Sequence, residues 1–457
     1  MENSWLGDLS GSDGPKYKAI ETAIRRAVHE GTLAPGYRLP PVRDLAWEAK
    51  ITPGTVARAY KSLVEAGVLE AVVGRGTFVA QAKITAPIST EVRNITFLSP
   101  RFPDMGQGAL IREAFRKFAD EADYSDLHRY PSRDTDIEAR EAFHRVKKEA
   151  PIGPFTVDDI VVASGGQSAI TLILQTILKG PSPVVLVDEL SYSGFRRAAE
   201  ICRAQVISVP WDDEGPQVDK LEAAIVDHGA QVYCGSPEVC NPLARATSAK
   251  RREEIAALAG KYDLHIVDDD CYRMGSHKGL SYRKLAPDHA WYVTSPSKSV
   301  TAALRIGFVV APNGWANRLA RTATFSFFGV ARPISQAYAY VRSHPSLPGI
   351  VQAVRSVMNS QLRMAINYLG HYDIQWMDDV PFIWLELPYG WRSGEFVQAA
   401  EGIGILLKSA EEFGLRQSTT VHAVRIALDG TLSMAEFEAA IRRLVELLDN
   451  PPEKITV

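Results

Sequence analysis

The chain has 457 residues, 46% of them hydrophobic and 23% charged, and a formal net charge of −3. That length exceeds one small domain, and the near-neutral balance excludes a protein that coats nucleic acid through global basicity, so any DNA affinity must come from a local surface. Four cysteines (Cys202, Cys234, Cys240, Cys271) form no C-x-x-C pair and read as buried thiols in a reducing compartment rather than metal ligands or disulfides. The N-terminus carries acids and no apolar core of a signal peptide, and no apolar run approaches the roughly 20 residues of a membrane helix. The expectation is a cytoplasmic protein without membrane contact.

Residues 15–80 read as three helices and a hairpin. Tyr17, Ile20, Ile24 and Val28 recur at helical spacing, and Gly31 follows as a stop. Leu39-Pro40-Pro41 announces a second helix through Val42, Leu45 and Ala46. For a third, Thr52 can cap and Pro53 occupies the first helical position, where a missing N–H costs nothing. Val56, Tyr60, Leu63 and Val64 make its apolar stripe, leaving Gly54, Thr55, Arg58 and Lys61 on other faces. A short helix after a tight turn, with Thr and Arg near its start, suits a major groove. Two β-rich runs then flank Gly74-Arg75-Gly76, a hairpin with a cation at its tip. Residues 1–80 nevertheless hold ten Lys/Arg against nine Asp/Glu. By pattern alone a small helical interaction domain remains an alternative.

Residues 81–93 lack periodicity, contain Pro87 and read as a linker. From residue 94 to 457, apolar β-rich runs alternate with helical stretches, the mark of a mostly parallel sheet wrapped by helices. Polar clusters follow several of those runs, where ligands bind in open α/β sheets. They are Gly165-Gly166, Tyr192, Asn241-Pro242, Asp268-Asp269-Asp270-Cys271-Tyr272 and Ser295-Pro296-Ser297-Lys298. Pyridoxal phosphate (PLP) requires such groups. Lys298 supplies an amine, Asp269 a partner for the pyridine nitrogen, Tyr272 and Asn241 donors to the phenolate oxygen, and Tyr192 a stacking surface. Gly165 and Gly166 open a helix N-terminus for the phosphate, completed by Ser295, Ser297 and Arg305. Each signal alone has a plainer reading: a surface lysine, a solvated or metal-binding aspartate turn, an ordinary glycine turn.

LPPVRDLA, ITPGTVARAYKSLVEAGVLE and GRGTFV together resemble the winged helix of GntR-type repressors. That resemblance implies double-stranded DNA as a partner, approached by Arg38, Arg43, Thr55, Arg58, Lys61, Arg75, Gly76 and Thr77. SPSK followed by ALRIGFVVAP, with DDDCY, CNP and SGGQSAI upstream, resembles fold-type I aminotransferases over residues 94–457. This implies a smaller C-terminal α+β part, a substrate-carboxylate role for Arg425 in HAVRIAL, and a reach by Tyr130 to the cofactor phosphate of a neighbouring subunit in a homodimer. The two in this order resemble the MocR/GabR subgroup. The implied function is a PLP-dependent transcription regulator, with a winged-helix domain over 11–80. It would sense an amine or amino acid, or PLP itself, by aldimine exchange at Lys298. An active aminotransferase with an accessory winged helix is the alternative. Three departures surround the pocket: Thr135 near a usual glycine, Leu190 for a common proline, and Asn241-Pro242-Leu243-Ala244 for Asn-Pro-Thr-Gly.

Overall fold

The computed structural model describes residues 4–6, 16–29, 32–34, 36–65, 68–72, 76–79, 94–415 and 421–451. The chain divides into two compact units, Met1–Val92 and Arg93–Val457. The expected linker 81–93 lies outside the described residues, as does Arg75.

In the first unit, α1 (Lys16–His29), α2 (Val42–Glu48) and α3 (Pro53–Glu65) precede an antiparallel hairpin of β1 (Leu69–Val72) and β2 (Gly76–Val79). The predicted cap is in place: Thr52 Oγ1 accepts from the Thr55 N–H at 3.3 Å. Ile20, Ile24, Leu45, Val56, Ala59 and Leu63 are all buried in one core. Each full burial of an Ile or Leu is worth roughly 1.5–3 kcal/mol, enough for three short helices to fix one another. That core also takes in Trp5 and Leu6 from the short turn Ser4–Leu6, ahead of the expected start at residue 11.

The second unit is built on seven strands: β3 (Ile160–Ala163), β4 (Val184–Asp188), β5 (Gln205–Val209), β6 (Val232–Gly235), β7 (His265–Asp269), β8 (Ala290–Thr294) and β9 (Gly307–Val310). Their order is β3-β9-β8-β7-β6-β4-β5. Only β9 is antiparallel to its neighbours. The strands read as continuous apolar runs because both faces are covered. Val161 and Ala163 enter one core and Ile160 and Val162 the opposite one; Val309 and Phe308 divide likewise. The reversed β9 begins where the others end, which brings Arg305 and Gly307 to the carboxyl edge of the sheet.

A second, antiparallel sheet orders Ile374–Gln375, Phe382–Glu386, Ala423–Ala427 and Lys408–Ser409. It packs with helices Leu347–Leu369, Ser393–Gly402 and Met434–Leu448 around a separate core. Ile95–Thr96 pairs in parallel with Ile405–Leu406, so the start of this unit is tied to its C-terminal part. Among the described residues, no helix is long and apolar enough to cross a membrane.

Candidate cofactor site and DNA-binding face

The carboxyl edge gathers the predicted groups around Lys298. This residue ends the single turn Pro296–Lys298, which Ser295 caps by accepting from the Ser297 N–H at 3.3 Å. The Ser295 hydroxyl donates to the Ile306 carbonyl at 2.8 Å, locking the lysine-bearing turn to the start of β9. Ser295 therefore has a structural duty that its assignment to the phosphate did not foresee. Ser297 Oγ lies 2.8 Å from Ser295 Oγ. Burial lowers the pKa of the Lys298 amine; Cys271 opposes this, and the positive fields of Arg425 and Arg305 reinforce it. A greater share of neutral amine is what a nucleophile needs. Its Nζ stands 5.6 Å from the centre of the Tyr272 ring.

The three consecutive aspartates end in three different environments. Asp268 accepts from the Ser281 hydroxyl at 2.5 Å and the Tyr282 N–H at 2.8 Å. Asp270 Oδ2 accepts from the Tyr292 hydroxyl and lies against His277 Nε2, both at 2.5 Å. Asp269, between them on the strand, leaves its buried Oδ1 without a partner. Burial first, then the charges of Asp270 and Asp268, push its pKa up to about 7, against a lowering hydrogen bond with Cys271. A buried acid this frustrated fits a cationic N–H, and the pyridinium of PLP offers one.

A second orphan supports the same fit. Asn241 Nδ2 is buried and unpaired, while its Oδ1 accepts from Arg425 Nη1 at 2.7 Å. That free amide is the donor a phenolate oxygen requires. Arg425 lies on Ala423–Ala427, is 2% exposed, and also donates through Nη2 to the Leu98 carbonyl at 2.5 Å. Its Nε is buried and unpaired, and no carboxylate forms an ion pair with it among the described residues. A guanidinium buried without a counter-ion costs several kcal/mol unless a ligand supplies the charge.

At the phosphate end, Gly165 caps helix α4 (Gly166–Ile177) with φ +96°. A Cβ on Gly165 would sit 2.9 Å from Arg305 Nη2, and one on Gly307 would sit 2.6 Å from the Gly165 carbonyl carbon. Only glycines permit this closeness, which leaves the N–H groups of the helix start open to an anion. Arg305 itself adopts φ +46°. The residues present therefore fit PLP: an amine, an unpaired buried acid, an unpaired amide and a glycine-lined helix N-terminus.

Tyr192 is held by contacts that sequence reasoning missed. A Cβ on Gly194 would lie 2.1 Å from the Tyr192 ring and 2.0 Å from Gln167 Oε1, and Gln167 Nε2 donates to the Gly194 carbonyl at 2.9 Å. Gly194, in the string SYSG, was the available signal. The departures also have structural outcomes. Ala244, at the usual glycine, is held at φ +51° in the left-handed region. Thr135 closes a turn by accepting from the Ser132 N–H at 2.8 Å. The Leu190 carbonyl faces Cys240 Sγ at 3.6 Å. Tyr130 does not join the cluster within one chain: it is 76% exposed and stacks on Phe328 with ring centroids 5.0 Å apart.

On the first unit, Arg43, Arg58 and Lys61 are exposed and Thr55 is half-buried. Arg58 extends over the Tyr17 ring, 4.2 Å from its centre, so α1 holds the orientation of this α3 side chain. Thr55 Oγ1 lies 2.8 Å from Thr52 Oγ1. Arg38 bridges to Phe78 of β2, and its Nε would lie 3.2 Å from a Cβ on Gly76, which has φ +115°. The Thr77 carbonyl accepts from the Leu39 N–H at 2.9 Å, fastening the hairpin to the loop before α2. Trp47, 87% exposed, is four residues from Arg43 on the same helix face and was not anticipated.

Known proteins agree with both halves. The family model for aminotransferase class I and II matches residues 97–444, and the model for bacterial regulatory proteins of the gntR family matches residues 16–79. The chain is 24% identical over 451 residues to an uncharacterized HTH-type transcriptional regulator, YdeF of Bacillus subtilis, covering 98% of this chain and 97% of that one. It is 25% identical over 444 residues to the vitamin B6 salvage pathway transcriptional repressor PtsJ of Salmonella typhimurium, covering 93% and 96%. Among solved structures, kynurenine aminotransferase of Pyrococcus horikoshii superposes with a TM-score of 0.68 at 20% identity, covering 78% of this chain and 91% of that one. The chain therefore belongs to the aminotransferase class I and II family and carries a GntR-type winged helix ahead of that domain, the arrangement of MocR-type transcription regulators.

Proposed function

We propose that this protein is a DNA-binding transcription regulator whose aminotransferase-like unit binds PLP at Lys298 and reads an amine or amino-acid effector there. The observation that carries this reading is the set of buried polar atoms short of partners around Lys298: Asp269 Oδ1, Asn241 Nδ2 and Arg425 Nε. A core does not keep three such atoms for stability, since each costs about 1–3 kcal/mol. They belong to an acid, an amide and a guanidinium, the kinds of group that a cofactor and a carboxylate-bearing effector demand.

PLP, when bound, supplies an electrophilic carbonyl and an electron-withdrawing ring. Lys298 would provide the amine that anchors it, beside the place where an effector amine would bind. Asp269 holds a proton at the pyridine nitrogen. Asn241 and Tyr272 donate to the phenolate oxygen, and Tyr192 covers the ring. Gly165, Gly166, Ser297 and Arg305 take the phosphate, with Ser295 fixing the turn. Arg425 takes the effector carboxylate. Tyr130, exposed on this chain, reaches the site of a second copy in a homodimer. On DNA, Arg43, Thr55, Arg58 and Lys61 face the major groove, and Arg38, Arg75, Gly76 and Thr77 position the wing. With its residues working on the chromosome, the protein acts in the cytoplasm.

Regulation requires that the effector bind one arrangement of the protein better than another. The name of PtsJ, a vitamin B6 salvage repressor, also makes PLP itself a natural effector. A second reading, a working aminotransferase, draws on the retention of Lys298, Asp269 and Arg425. Titrating the PLP-loaded protein with a panel of amines and amino acids, with DNA mobility shifts run in parallel, tests both. One effector should change the visible absorbance once and shift operator affinity. Sustained keto-acid production without any change in DNA binding would favour the enzyme.

A further inference from the structure

A cavity of about 660 Å³ opens beside Lys298. Its wall includes Lys298, Ser295 and Cys271, but none of Asp269, Asn241, Tyr192, Tyr272, Gly165 or Arg425. It is bounded instead by the end of helix Ile137–Lys147, the segment Asp270–His277, and side chains of helices Arg332–Ser343 and Leu347–Leu369. The volume is in the range that holds a whole small molecule.

Its chemistry is cationic over an apolar floor. Lys147, Arg273, Arg342 and Arg355 join Lys298 in the wall, against the two acids Glu149 and Asp270. Several of these charges are already spoken for. Asp270 is engaged by His277 and Tyr292 and has Lys147 3.8 Å away. Arg355 pairs with Asp379, Nε to Oδ1 at 2.5 Å and Nη2 to Oδ2 at 2.7 Å.

Arg273 and Arg342 keep more donor capacity, although Arg273 Nε donates to the Ser276 carbonyl at 3.1 Å. The Arg273 side chain is 4% exposed, and its Nη1 is buried without any partner. Its nearest acid, Glu238, is 4.0 Å from Nε and already bridges Arg252 at 3.3 Å while accepting the N–H groups of Lys278 and Gly279. Arg342, half-buried, forms no ion pair among the described residues. Phe143, Val146, Phe308, Tyr338 and Val351 supply the apolar surface. A buried guanidinium with an unused donor beside a roomy, half-apolar space is the construction of an anion receptor.

We propose that this chamber is a second ligand site, separate from the cofactor cradle, for a small organic anion. The ligand is a carboxylate or phosphate monoester with an apolar body, its anionic group held by Arg273 and Arg342. Lys298 forms part of both walls, so an occupant would be felt at the cofactor without touching the groups that hold the ring.

The test is calorimetric titration of the PLP-loaded, full-length protein with phenylacetate and, separately, phenyl phosphate. With the cofactor cradle filled, saturable binding of either probe at one per chain is expected, and the arm that binds identifies the anion. Arg273→Gln should weaken it at least about 10-fold, the loss of a charged hydrogen bond. Arg425→Gln should leave it within about 2-fold. If Arg273→Gln fails to fold, Arg342→Gln gives the same test on a more accessible side chain. No saturable binding of either probe up to about 10 mM, a mixed-variant result in which Arg425→Gln alone abolishes it, or full affinity in the folded Arg273 or Arg342 variant would overturn the proposal.

Discussion

Asp269→Asn separates a ligand-binding acid from a structural one, because the two roles predict opposite signs. In the PLP-free protein, burial and two flanking aspartates raise the Asp269 pKa from 3.8 to about 7. Between those values the folded chain holds a proton that the unfolded chain has released, so stability falls as pH rises through that window and levels off above it. At 1.36 kcal/mol per pH unit the span is worth about 4 kcal/mol, and compact denatured states make this an upper bound. Asparagine has the same shape and no charge. Below about pH 4, where the carboxyl is protonated in the folded and unfolded chains alike, the variant and the parent should have nearly equal midpoints in urea, and by pH 5 the variant should already lead by about 1.6 kcal/mol. At pH 8 the PLP-free variant should be the more stable, by up to about 4 kcal/mol. Asp188 and Asp268, raised to about 7 and about 6 mainly by burial, add the same trend to both proteins and cancel in the difference. With PLP added the order should reverse: asparagine cannot pair ionically with the pyridinium, and retention of the cofactor should weaken at least about 10-fold. A difference in midpoint that is flat from pH 5 to pH 8, or PLP retention equal in the two proteins, would refute the assignment of Asp269.

Gly194→Ala should lower stability by about 1–3 kcal/mol, as overpacking does, and should also change the visible spectrum of bound PLP by displacing Tyr192; thermal melts and absorbance check it. Ala244→Gly should stabilise the protein by about 1 kcal/mol, since the residue already occupies φ +51°, and a lower urea midpoint would contradict that. Arg58→Ala should weaken operator binding in mobility shifts without altering the PLP spectrum. Tyr17→Leu, which removes only the ring under Arg58, should weaken it less, and equal losses would mean that the guanidinium acts through α1 rather than on DNA. Lys298→Ala should yield no borohydride-trapped adduct of PLP by mass spectrometry; a trapped adduct would move the anchor elsewhere.

The pattern of these expectations follows from what a sequence can express. Strand ends were legible because both faces of the sheet are covered, so the apolar runs stop where the polar edge begins, and Lys298, Asp269, Tyr272 and Gly165 stand at those stops. The winged-helix core was legible for a similar reason: the period of Val56, Tyr60 and Leu63 and the Thr52-Pro53 start leave one register for α3. What could not be read was set by contacts between distant segments. Ser295 is drawn to Ile306 only because β9 runs backwards beside β8. Asp268, Asp269 and Asp270 are three identical letters, and only the neighbours on each side of the strand give one Ser281, one His277 and one no partner beyond Cys271. Trp5 was invisible because a lone aromatic outside a periodic run carries no address, and Arg273 because its isolation depends on Glu238 already serving Arg252. Partners are a property of the folded chain. The buried atoms that lack them at Asp269, Asn241, Arg425 and Arg273 are therefore where structure adds most to the reading of this protein, and each is a group that the proposed ligands would satisfy.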